Sequence, residues 1–120
     1  MSAADPITTS VAHREGVAVV SIGGEIDLST APAFEAAIAE ALEEDPTALV
    51  LELSGVRFMA SVGLRILATT QEKIGKTSQV AVVADNPASS RPIQLTSLDN
   101  VISLYPTLDE ALSALAPTPD

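Results

Sequence analysis

Residues 56–67 read Val-Arg-Phe-Met-Ala-Ser-Val-Gly-Leu-Arg-Ile-Leu. They follow a nearly continuous apolar run, Ala48 to Leu53, of the kind that is buried on both faces of a sheet. They lead into a helix predicted from about Val62 to Ile74, with Leu64, Leu67, Ala68 and Ile74 on its inner side. A strand running into a helix marks an α/β chain, and Ser61 stands at the junction. A serine there reads first as an N-cap, with its hydroxyl accepting from the amides of Val62, Gly63 and Leu64. The same amides tolerate an anion. A phosphate on Ser61 adds about two negative charges; it leaves the helix standing and changes the bulk and charge of the outer surface. Gly63 costs stability in a first helical turn. It is kept where something comes close, and packing against the sheet is the simplest reason.

Upstream, Ile7, Thr9 and Val11 share one side of a predicted strand, His13 to Gly16 form a turn, and Val17 to Ile22 form a second strand. The short gap predicts an antiparallel hairpin. Gly23-Gly24 ends or bulges the second strand. Ser29 or Thr30 caps a first helix, and Pro32 falls in its first turn, where a missing N–H does no harm. Phe34, Ala37, Ile38, Ala41 and Leu42 give that helix an apolar face, and Glu35, Glu40, Glu43 and Glu44 lie on its wet side.

Downstream, Gly75 stops the helix that follows Ser61, and Gln79 to Ala84 form another buried strand. Asp85-Asn86-Pro87 is a turn, Arg91 to Ser97 a short helix, and Ile102 to Tyr105 a short strand. Thr107 and Glu110 have capping-box spacing at the head of a last helix. A hairpin followed by helix–strand alternation implies one α/β domain with a small mixed sheet, covered by about four helices. Right-handed crossovers place the connecting helices on a common side. The domain is expected to span residues 1–120, with 1–6 and 117–120 as flexible tails.

The composition narrows the function. Aromatic residues make up only 2% of the 120 residues, so there is no stacking platform for bases or sugars. The formal charge is −10, from 16 acidic and 6 basic residues. That balance repels phosphate backbones and anionic membrane surfaces, so neither nucleic acid nor direct membrane binding is expected. There are no cysteines for disulfides, thiol catalysis or metal ligation. The N-terminus, Met-Ser-Ala-Ala-Asp-Pro, lacks the basic start and apolar stretch of a secretory signal. No apolar run approaches a membrane span, and a cytoplasmic protein is the expectation.

Catalysis finds little support. The single histidine, His13, falls in the predicted turn, and no His–Asp–Ser set or His pair is present. Gly23-Gly24 lacks the Gly-Lys-Ser/Thr of a phosphate-binding loop. The acidic residues are spaced as a solvated face. No catalytic residue, metal ligand or cofactor is therefore assigned, and a regulatory binding protein is the reading.

Gly-Glu-Ile-Asp-Leu-Ser-Thr-Ala at 24–31, Leu-Val-Leu-Glu-Leu-Ser at 49–54 and Phe-Met-Ala-Ser-Val-Gly-Leu at 58–64 together resemble the STAS domain. The likeness is strongest to the bacterial anti-sigma factor antagonists, and it extends through the C-terminal Ser-Leu-Asp-Asn-Val-Ile-Ser-Leu-Tyr-Pro-Thr-Leu-Asp-Glu-Ala-Leu. The resemblance implies a mixed sheet covered by helices. It also implies partner switching: binding to an anti-sigma factor with a histidine-kinase-like ATPase fold, which frees a sigma factor for RNA polymerase. That anti-sigma factor is often a serine kinase, which phosphorylates the antagonist and so releases it. A serine phosphatase then resets the cycle.

By position Ser61 matches the phosphate acceptor. Asp27 matches an aspartate in the neighbouring loop, and it reads equally well as a carboxylate that binds loop amides. Met59, Ala60, Val62, Gly63 and Arg65 are the implied partner-binding residues, with Met59, Val62 and Arg65 around Ser61 on the contact surface and Phe58 in the core. The chain departs from the family pattern at Ala60, where an aspartate is usual, and at Val62, where a small polar residue is common. Two other readings stay open. One is a STAS subunit of a transporter or stress-signalling assembly in which Ser61 is only a cap. The other is a small-ligand sensor, for which the chain offers no phosphate loop.

Overall fold

The structure is a computed structural model and describes residues 7–115. The tails expected at 1–6 and 117–120 lie outside the described residues. The chain runs β1 (Ile7–Arg14), β2 (Val17–Ile26), α1 (Ala31–Leu42), β3 (Ala48–Met59), α2 (Ser61–Ile74), β4 (Gln79–Val83), α3 (Pro87–Leu95), a 3-10 turn (Leu98–Asn100), β5 (Ser103–Tyr105) and α4 (Leu108–Leu115). The five strands form one sheet in the order β1-β2-β3-β4-β5. β1 and β2 are antiparallel, and every later pairing is parallel.

Period-two alternation assigns each strand residue to a layer. Val20, Leu49, Leu51 and Val82 face one side, where they pack with Phe34 and Ala37 of α1, Ile66 and Leu67 of α2, and Ile93 of α3. Val19, Val50, Ala81 and Val83 face the other and meet Ala111 of α4, flanked by Leu108, Leu112 and Leu115. The three crossover helices thus share one face, as right-handed connections between sequential parallel strands require. α4 follows the last strand, is free of that rule, and covers the opposite face.

Several elements differ from the sequence expectation. The hairpin turn is Glu15–Gly16, with φ of 50° and 86°, so His13 lies in β1 opposite Ala18 rather than in the turn. Two consecutive positive φ angles suit a two-residue turn between right-twisted strands. Of the two readings of Gly23-Gly24, an end of β2 or a bulge in it, the bulge is the one found. The strand runs on to Ile26 through register shifts at Ser21/Gly23 and Gly24/Glu25. Gly24 has φ of 94°, a value few other residues adopt cheaply. The third helix spans Pro87–Leu95 rather than 91–97, because Asn86 caps it by accepting from the Ser89 amide at 3.2 Å. Gly75 does stand at the end of α2, but in right-handed geometry at φ −64°.

Candidate functional site

Two connections meet at one end of the sheet, β2 to α1 and β3 to α2. β3 does not stop at Leu53; it continues to Met59, paired with Ile26 of β2. The Ala60 amide then donates to the Ile26 carbonyl at 2.8 Å. This bond holds the chain extended through Ala60 (φ −80°, ψ 169°), and the helix starts immediately after it. Ala60 therefore takes the cap position and Ser61 is the first helical residue. The expected Ser61 N-cap is overturned: a residue already inside the helix cannot turn its hydroxyl back onto the following amides. The first turn closes through the backbone, with the Gly63 amide donating to the Ala60 carbonyl at 2.9 Å. Ser61 is exposed, and its hydroxyl takes part in none of the hydrogen bonds among the described residues.

The β2–α1 loop is tied by a knot of side-chain bonds. Asp27 Oδ1 accepts from the Ser29 hydroxyl at 2.7 Å, the Ser29 amide at 2.9 Å and the Thr30 amide at 3.1 Å. Thr30 Oγ1 donates to the Glu25 carbonyl at 2.8 Å and accepts from the Asp27 amide at 2.9 Å. Thr30 occupies the cap position of α1, but its side chain makes no cap bond; it is spent on the knot. The Ser29 hydroxyl, with help from the Thr30 and Ser29 amides, holds the Asp27 carboxyl below the ordinary aspartate value, while partial burial opposes the shift. Asp27 thus binds the loop amides, the structural role open to it from sequence.

The knot leaves Leu28 outside. Its side chain is 78% exposed, and with Ala60, Ser61, Val62 and Arg65 it lines an open depression. Sequence reasoning missed Leu28. The available signal was a large apolar residue in a polar loop, outside the periodic face of either neighbouring element. Arg65 and Val62 also line a groove of about 300 Å³ between α1 and α2, together with Glu35, Ile38, Leu42 and Lys73.

The structure corrects two placements beside Ser61. Met59 is 6% exposed and part of the core, not of the surface, whereas Phe58 is 52% exposed and not in the core. At each of the two register shifts β3 gains one residue on β2. A single shift exchanges the faces of a strand and the second restores them, so Met59 faces the same side as Leu49, Leu51 and Leu53. Val62 is nearly buried at 9%, with only an edge reaching the depression. Gly63 is buried, and a Cβ there would meet Met59 Cγ at 2.8 Å and Ile26 Cγ2 at 2.9 Å. Its small size serves packing between helix and sheet. The outward set beside Ser61 is accordingly Leu28 and Arg65, with part of Ala60.

No group of three or more metal-ligating side chains occurs among the described residues. No helix of the described residues is long and apolar enough to cross a membrane.

Residues 8–111 match the STAS domain family, and the chain belongs to it, in the branch of the anti-sigma factor antagonists. Among its relatives is the anti-sigma-F factor antagonist RsfB of Mycobacterium tuberculosis, 54% identical over 115 residues, which cover 96% of this chain and 94% of the relative. A crystal structure of an anti-sigma factor antagonist from Mycobacterium paratuberculosis is 56% identical, with a TM-score of 0.88, covering 96% of this chain and 98% of that one. The anti-sigma factor antagonist SpoIIAA in its unphosphorylated form shares the fold at 17% identity, with a TM-score of 0.72 and coverage of 94% and 100%.

Proposed function

We propose that this protein is an anti-sigma factor antagonist working in the cytoplasm by partner switching. It binds a kinase-type anti-sigma factor of histidine-kinase-like ATPase fold and displaces the sigma factor held there. It catalyses nothing itself. Phosphorylation of Ser61 ends the complex, and a serine phosphatase restores the hydroxyl. The observation that carries this reading is the position of Ser61: exposed, first in α2, its hydroxyl free of internal hydrogen bonds, beside the outward Leu28. The 54% identity to RsfB, named as an anti-sigma-F factor antagonist, supports the same reading.

In the covalent step Ser61 Oγ bonds to the γ-phosphorus of ATP. The bond from that phosphorus to the ADP oxygen breaks, ADP leaves with the electron pair, and the hydroxyl proton passes to a base of the kinase. A phosphate dianion then stands in the contact surface. Like-charge contact and bulk oppose redocking, while the helix N-terminus accepts the charge without melting.

The test mixes the purified chain with a kinase-type anti-sigma factor and ATP, followed by intact mass and site mapping. One phosphate at Ser61, absent from Ser61→Ala, is the expected result. Labelling that persists in Ser61→Ala, or stable binding that withstands phosphorylation, overturns the switch.

A further inference from the structure

We propose that Arg65 is the internal clamp of a phosphorylated Ser61, so that modification both adds a dianion to the contact surface and withdraws the one cation lining the depression beside Ser61. The proposal rests on Ser61 being the acceptor and adds how the phosphate is held.

Ser61 and Arg65 are four apart on α2, and both are exposed. Side chains at that spacing are neighbours, about 5–6 Å apart at Cβ. Helical Cα–Cβ bonds tilt toward the N-terminus, so the residue at i+4 leans back over the residue at i. An anion followed four residues later by a cation is also the more favourable order. The shared depression confirms that the two side chains border one space. Arg65 is the only charged residue lining it.

The setting of Arg65 leaves it free to move. It takes part in none of the side-chain hydrogen bonds among the described residues. It stands on the ridge between two hollows, lining the Ser61 depression on one side and the α1–α2 groove on the other. In the groove the opposing carboxylate is Glu35 of α1, and Asp27 stands in the loop next to Leu28. A carboxylate offers the guanidinium a single charge, whereas a phosphate presents nearly two, with three oxygens suited to a planar fork. Asp27 Oδ1 is already committed to Ser29 and Thr30. Ala60 places no carboxylate between the phosphate and the amides of Ser61 and Val62, which have no helical carbonyl to reach.

The chain as a whole sharpens the argument. Only six of its residues are Lys or Arg, against sixteen acidic ones. Three of the six, Arg65, Lys73 and Lys76, are exposed on or just beyond α2. A guanidinium beside Ser61 is therefore a scarce charge on an acidic surface, and closing it onto the phosphate removes it from the face offered to a partner.

The test uses the full chain with phosphoserine installed at position 61 during translation, so no kinase is required. Phosphorus NMR follows the second ionisation of the phosphate in the otherwise native chain, in Arg65→Gln, in Arg65→Lys and in Lys73→Gln. A clamp favours the dianion, so its loss raises the midpoint by about 0.2–0.4 of a pH unit in Arg65→Gln. Arg65→Lys falls between, and Lys73→Gln stays at the native value. Equal midpoints for the native chain and Arg65→Gln overturn the clamp. So does an equal rise in Lys73→Gln, which marks a general field instead of a specific pair. Failure of a kinase to label Ser61 in the native chain would count against the proposed switch and leave this titration unaffected, so the two failures read differently.

Discussion

The Ala60 amide donates to the Ile26 carbonyl at 2.8 Å, joining the residue that caps α2 to the last residue of β2. One backbone bond thereby fixes the two loops that carry Ser61 and Leu28 side by side. Because it is a backbone bond, the side chain at 60 is free to vary, and here it is one that cannot cap.

That vacancy defines the first prediction. Ala60 has the extended conformation of an N-cap, and its carbonyl takes the Gly63 amide, but it has no side-chain acceptor for the Val62 amide. Ala60→Asp supplies one, next to the positive end of the helix dipole. Stability should rise by about 0.5–2 kcal/mol, read as a higher urea midpoint at unchanged slope. The same carboxylate stands beside the acceptor hydroxyl, so in the phosphorylated chain the gain should shrink through like-charge repulsion. A midpoint that does not move would mean that Ala60 is held by packing in a way that denies its side chain access to the amides.

The second prediction concerns acid. Asp27 is held below its ordinary pKa of 3.8 mainly by the Ser29 hydroxyl. A carboxyl with a lowered folded-state pKa stabilises fully above its unfolded value, and that contribution is lost as pH falls through the folded value. The loop should therefore stay closed at pH 4 and above and loosen only below it. Carbon-detected titration of the Asp27 carboxyl, together with exchange protection of the Ser29 and Thr30 amides, checks this. Asp27→Asn should keep the loop near neutrality, since its carbonyl oxygen still accepts, and should lose the acid transition. An Asp27 midpoint at or above 3.8 would remove the knot from the account.

Much of this architecture was legible because burial leaves a period in the sequence. Ala48 to Leu51 are buried on both faces and read as an unbroken apolar run. Phe34, Ala37, Ile38 and Ala41 fall on one helical stripe and are the buried face of α1. The end of β3 was not legible. Ser54 and Gly55 break its pattern, and what extends the strand is pairing with β2, where a Cβ on Gly55 would lie 3.3 Å from Gly23 Cα. That tertiary pairing carried β3 on to Met59, set the helix start directly after Ala60 and turned Ser61 from a cap into a first-turn residue. α3 hid for a local reason: Asn86-Pro87 reads equally as a turn or as a helix start, and Pro92 lies inside the helix. Leu28 left only the mark of a large apolar residue in a polar loop, because its exposure is set by hydrogen bonds among Glu25, Asp27, Ser29 and Thr30, none of which leaves a hydrophobic period.

The last prediction separates folding from docking at Leu28. A side chain that is 78% exposed contributes little to the core, so Leu28→Ala should change stability by less than about 0.5 kcal/mol. Leu67, 1% exposed in the same cluster as Phe34, is the contrast; Leu67→Ala should cost about 2–5 kcal/mol. Held out by a closed loop, Leu28 reaches a partner with its position already fixed and little further ordering to do. If it anchors the complex, Leu28→Ala should weaken binding to the anti-sigma factor about tenfold or more, with the loss mainly in the dissociation rate. Calorimetric titration and a urea melt on the same sample give both readings. Native stability with native affinity would show that the docking energy lies elsewhere, and the next residue to test would be Phe58, the other large apolar side chain exposed near this end of the sheet.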